Sequence, residues 1–104
     1  MFKKNTMITR SIYNELDSDI TMVLWALVQN PQNRELDYLQ IFNLENVGTK
    51  EEPVLKITWK QECPEHIETH YVKGLYTKVS RVWIICEGEG TDEEYSTMLL
   101  PEDY

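Results

Sequence analysis

Apolar side chains recur every three to four residues in one stretch of this chain and every second residue in several others. The helical period falls on Asp19 to Gln29, where Ile20, Val23, Leu24, Leu27 and Val28 line up as one stripe. Ser18 or Asp17 is placed to cap that helix, and Asp19 suits the positive end of its dipole. Pro31 follows where the pattern stops. Trp25 lies beside the stripe and is expected at the edge of the core.

The period of two is clearest over Val54 to Gln61. Leu55, Ile57 and Trp59 alternate there with Lys56, Thr58 and Lys60, which predicts a half-buried strand. Leu36 to Leu44 reads as a central strand, with Leu39 and Ile41 facing one way and Tyr38, Phe42 and Leu44 the other. Ile67 to Leu75, Thr77 to Cys86 and Glu94 to Leu100 predict three further strands, and Met7 to Tyr13 a short first one. Polar connections are expected at Gln32 to Glu35 and Glu45 to Pro53, and an acidic turn around Gly88 and Gly90. Short links between successive strands point to an antiparallel meander. The expected fold is α+β: an antiparallel sheet of four to six strands with one main helix packed on one face, in a single domain over residues 1–104.

Charge is distributed unevenly along this frame. Up to Arg81 the chain is nearly balanced, with ten Lys and Arg against eleven acids. The last 23 residues hold no Lys or Arg and seven acids, so almost all of the net charge of −8 arises there. Such a balance opposes direct binding to phosphate backbones and favours a protein partner with a basic surface. Glu87, Glu89, Asp92, Glu93, Glu94 and, if the strands pair, Asp103 are the candidate partner-binding residues. The longest apolar run, Met22 to Val28, is too short to cross a bilayer, and no apolar stretch follows Lys3 and Lys4 as a leader would need, so a cytoplasmic location is expected.

Chemistry-bearing motifs are sparse. Cys63, His66 and His70 supply zinc-type ligands, but on a strand two histidines four residues apart stand ~13 Å from each other. Cys63 or Cys86 with one of these histidines is the alternative of a thiol enzyme, without a local signature to support it. No phosphate loop, dinucleotide fingerprint or calcium loop occurs. The expectation is therefore no catalytic residue, no metal and no cofactor.

Several segments carry a resemblance. MITRSI, Leu24-Trp25, the run LDYLQIF (Leu36 to Phe42), KQECPE (Lys60 to Glu65) and the closing EYSTMLLPEDY (Glu94 to Tyr104) resemble the family of domains of unknown function number 960. That family is found mainly in staphylococci, streptococci, enterococci and their mobile elements. The resemblance implies a small cytoplasmic bacterial protein without an assigned activity, and a closing segment integral to the domain. It brings no catalytic residues, and His66 and His70 lie outside its pattern.

The reading that follows is a small acidic, non-catalytic interaction or regulatory protein. A sharper alternative is an inhibitor of mobile-element type, whose acids imitate phosphates and block a basic nucleic-acid-binding enzyme. The second alternative is the thiol or zinc site on Cys63, His66 and His70. Self-association is a further expectation should aromatic side chains prove exposed.

Overall fold

The cleanest alternation in the chain becomes the middle of a sheet. In the computed structural model, which describes residues 1–30 and 34–104, the elements run β1 (Thr6–Ile8), α1 (Arg10–Glu15), α2 (Ser18–Gln29), β2 (Leu39–Asn46), β3 (Val54–Glu62), β4 (Glu65–Lys73), β5 (Arg81–Glu87) and β6 (Tyr95–Leu99). A single 3₁₀ turn, Pro101–Asp103, closes the chain. The fold is α+β, with six strands in the order β1-β6-β5-β2-β3-β4. All pairings are antiparallel except β1 with β6, which is parallel.

The helices cover one face only. Ile20, Leu24 and Val28, four residues apart on α2, are fully buried, with Val23, Leu27 and Trp25 packed partly buried around them. They meet Phe42 and Leu44 of β2, Leu55, Ile57 and Trp59 of β3, Val82, Ile84 and Cys86 of β5 and Met98 of β6. The predicted stripe and the predicted inward residues of β2 and β3 are thus the two halves of one core.

Three expectations are corrected. Met7 to Tyr13 is not one strand: it ends at Ile8, and Thr9 caps α1 by accepting a bond from the Ile12 amide at 3.3 Å. That turn lets Ile12 reach the core, where it is fully buried. The Thr77 to Cys86 strand begins only at Arg81, because Asn46 holds Thr77 in a loop by bonds to its carbonyl (2.7 Å) and amide (3.1 Å). The strands do not form a simple meander either. β5 skips β4 and pairs with β2, in the middle of the sheet. Its apolar run Val82–Ile85 offers apolar side chains to both faces, and a central position buries more of them than an edge. Pro31 and the first residues of the Gln32 to Glu35 connection lie outside the described residues.

Candidate functional site

The β5–β6 turn holds the acids singled out by charge, and its local chemistry sorts them. Gly88 and Gly90 adopt φ of +70° and +80°, which side-chain-bearing residues avoid, so the chain reverses there. Thr91 ties the turn by donating its hydroxyl to the Gly88 carbonyl at 2.7 Å and accepting from the Glu93 amide at 3.2 Å. Glu94 folds inward: it is 6% exposed, accepts from the Gly90 amide at 3.2 Å and lies 4.0 Å from the N-terminal ammonium. Glu87, Glu89, Asp92 and Glu93 are exposed, and no ion pair among the described residues involves them. The Tyr95 hydroxyl hydrogen-bonds to Glu87, and that bond together with the carboxylate charge raises the phenol pKa.

Asp103 does not join this group. Trp83 pairs with Leu99 and Glu87 with Tyr95, so the 3₁₀ turn lies at the other end of β6 from the acidic turn. There the Asp103 carboxylate accepts from the Leu100 amide (3.0 Å), the Ser11 hydroxyl (2.8 Å) and the Thr9 hydroxyl (3.0 Å). The Leu100 bond, then the hydroxyl bonds, hold its pKa below the usual aspartate value. Its role is to fasten the end of the chain to the start of α1.

The two histidines share a face of β4, and Glu68 stands between them. His66 Nε2 lies 3.1 Å from one Glu68 oxygen and His70 Nε2 2.7 Å from the other. Arg34 completes the group with Nη1 at 2.7 Å from Glu68, its guanidinium stacked 4.2 Å above the Trp59 ring. Burial pushes the Glu68 carboxyl up, but the His70 bond, the Arg34 charge and the His66 bond outweigh it and leave the pKa lowered. The Trp59 indole N–H donates to Gln40, Gln40 donates to Gln61 at 3.0 Å, and Gln61 donates to the Pro64 carbonyl at 2.7 Å. These side chains pin the 34–40 segment to β3. Sequence reasoning missed the group, although the alternating His-x-Glu-x-His of β4 already places all three on one face.

Cys86 is buried in β5, which two strands separate from β4, so it lies ~14 Å from the histidine-bearing strand. Cys63 is exposed in the β3–β4 turn, and both thiols are free. Among the described residues no group of three or more His, Cys, Asp and Glu is arranged to hold a metal. A surface hollow lined by Asn14, Glu15, Lys78, Arg81 and Glu102 lies at the end of the sheet away from the acidic turn.

Among the described residues no helix packs on the face of the sheet opposite α2. Pairing register lays Leu99, Trp83, Ile41, Lys60 and Ile67 in one row across five strands, with Ile85 and Leu39 in the next. Trp83, Ile41, Ile85 and Leu39 are partly buried there, and Tyr104 sets its ring edge against Trp83 at 5.9 Å. Glu87 and Tyr95 end the same face, so the apolar patch abuts the acidic turn.

A small α+β domain with one helix-covered and one open sheet face is the class these features define. The chain belongs to the staphylococcal protein family of unknown function DUF960, whose model matches residues 5–103. A crystal structure of a protein of unknown function from Enterococcus faecalis is similar to it, with a TM-score of 0.74 at 17% identity over 99% of this chain and 94% of that one. At that identity the likeness concerns the fold alone. A comparison with curated proteins gives no match.

Proposed function

We propose that this protein is a non-catalytic docking domain, which receives a protein partner with a basic margin on its open sheet face. The observation that carries the reading is the partly exposed patch of Trp83, Ile41, Ile85 and Leu39 next to four exposed acids at the β5–β6 turn, none of them in an ion pair among the described residues. Aromatic and aliphatic side chains supply the contact energy of such a surface, while the acids steer the encounter. Phosphate imitation is the weaker form, since Glu94 turns inward and Asp103 sits at the far end of β6. The exposed free Cys63 fits a reducing, cytoplasmic setting.

The test uses tagged protein in lysate of the native host, with two variants: Trp83→Ala, and the neutral set Glu87→Gln, Glu89→Gln, Asp92→Asn and Glu93→Gln. A partner that both variants lose, and that high salt weakens, supports the reading. Capture unchanged in both variants overturns it.

A further inference from the structure

The two edges of the sheet are finished differently. β1 has three residues, whereas β4 has nine, in unbroken register with β3 and with no strand beyond it among the described residues. Native sheets blunt such edges with proline, bulges or a covering element. β4 has no proline and no bulge.

Hydrogen-bond parity states which groups are open. Val47 donates to the Val54 carbonyl at 2.9 Å, and Gly74 donates to the Pro53 carbonyl at 2.7 Å. Even-numbered residues of β3 therefore bond to β2, and odd-numbered ones to β4. On β4 the residues bonded to β3 are His66, Glu68, His70 and Val72. The N–H and C=O groups of Glu65, Ile67, Thr69, Tyr71 and Lys73 point outward, and the side chains of the same five residues are exposed on the open face. Ile67 and Tyr71 are 61% and 63% exposed.

We propose that β4 pairs antiparallel with β4 of a second copy of this chain, about a two-fold axis through Thr69. In that register all nine residues overlap. Glu65 faces Lys73 of the other copy at both ends, Ile67 faces Tyr71, and Thr69 faces its own equivalent. On the other face of the sheet Glu68 meets His70, and His66 meets Val72. Only registers that match the outward groups are open to two antiparallel copies, and these differ by steps of two residues. One step in one direction sets Glu68 against Glu68, and one step in the other sets His70 against His70 and Ile67 against Lys73. A two-fold axis allows each of these registers, and opposite charges meet at both ends only in the one through Thr69.

The net charge of −8 does not oppose it. Residues 54–73, which span the two strands nearest this edge, carry three Lys and three Glu. The acidic turn between β5 and β6 lies ~14–19 Å further across the sheet, beyond the Debye length of about 8 Å at physiological salt. Pairing would join two six-stranded sheets into one and extend the open face, with Tyr71 of one copy beside Ile67 of the other. The contact is small, so the dimer is weak, on the order of micromolar. It does not depend on the docking reading, because the variants that test the acidic turn and Trp83 leave β4 unchanged.

The experiment is sedimentation of the whole chain over a concentration series, with three variants. Thr69→Pro removes the outward N–H at the axis without taking a donor from the β3 ladder, and circular dichroism checks that it folds. It is expected to be monomeric. Glu65→Lys and Lys73→Glu each set like charges opposite one another and weaken the dimer about tenfold. Mixed together, these two variants make both end pairs attractive again and form the heterodimer in preference to either homodimer. Wild-type chain that stays monomeric up to about 1 mM, a folded Thr69→Pro that still dimerises, or a mixture without preference for the heterodimer each overturns the proposal.

Discussion

The edge at β1 is short and fastened from several sides; the edge at β4 is long and regular, and among the described residues no strand pairs with its outward side. At β1, Phe2 is fully buried despite a φ of +67°, and Gln29 donates to its carbonyl at 2.9 Å. A bulky residue keeps so strained a backbone only where its surroundings over-determine it. Asn5 donates to the Glu94 carbonyl at 2.9 Å, Glu94 approaches the N-terminal ammonium, and Asp103 binds Thr9 and Ser11. At β4, Arg34 and Glu68 hold the covered side, but the outward row meets only solvent in the monomer. Residues far apart in the chain close the first edge, and the second keeps its outward backbone groups open among the described residues.

Removing the ring that anchors the closed edge has the largest expected effect. Phe2→Ala should cost about 3–5 kcal/mol, read from urea unfolding, and loosen β1 first. A loss below about 1 kcal/mol would show that the β1 edge does not depend on the Phe2 anchor.

At the other edge, Glu68→Ala leaves Arg34 and both histidines without their acceptor. A loss of about 1–2 kcal/mol is expected, less than for a fully buried pair because Glu68 is partly solvated. Its pKa is lowered in the fold, so its contribution is complete above the ordinary glutamate pKa and disappears as pH falls through the folded value. The stability gap between wild type and Glu68→Ala should therefore close on acidification, and a gap that stays constant into acid contradicts the assignment.

Asp103→Ala should lower the melting temperature by less. The same sign applies, since its pKa is also depressed: the effect is full at neutral pH and vanishes in acid. Loss of protection at the amides near Thr9 and Leu100 locates it.

The smallest signal lies in hydrogen exchange along β4. In dilute protein the amides of Ile67, Thr69 and Tyr71 should exchange faster than those of His66, Glu68 and His70. Raising the concentration should slow only the first set.

Much of the fold could be read from periodicity. α2, β3, β4 and β6 lie within a few residues of their expected spans, and the inward residues of β2 and β3 are those the alternation assigns. Elements whose ends depend on distant partners were harder. Local propensity favours strand at Tyr13, but Thr9 capping and burial of Ile12 turn the segment into α1. Propensity also favours strand from Thr77, but Asn46, 31 residues earlier, holds it in a loop. Of the candidate acids, composition marked all alike, and only contacts separate exposed Glu93 from inward Glu94.

What this sequence determined by itself is which side chains share a face, because the two periods, 3.6 and 2, are properties of the local backbone. It also determined the family, the acidic balance of the closing segment and the α+β class. Only the tertiary structure decided that β5 sits beside β2, that Glu68 gathers Arg34 and two histidines, and which edge of the sheet remains open. Those depend on contacts between residues far apart in the chain, whose pairing energy no local pattern encodes.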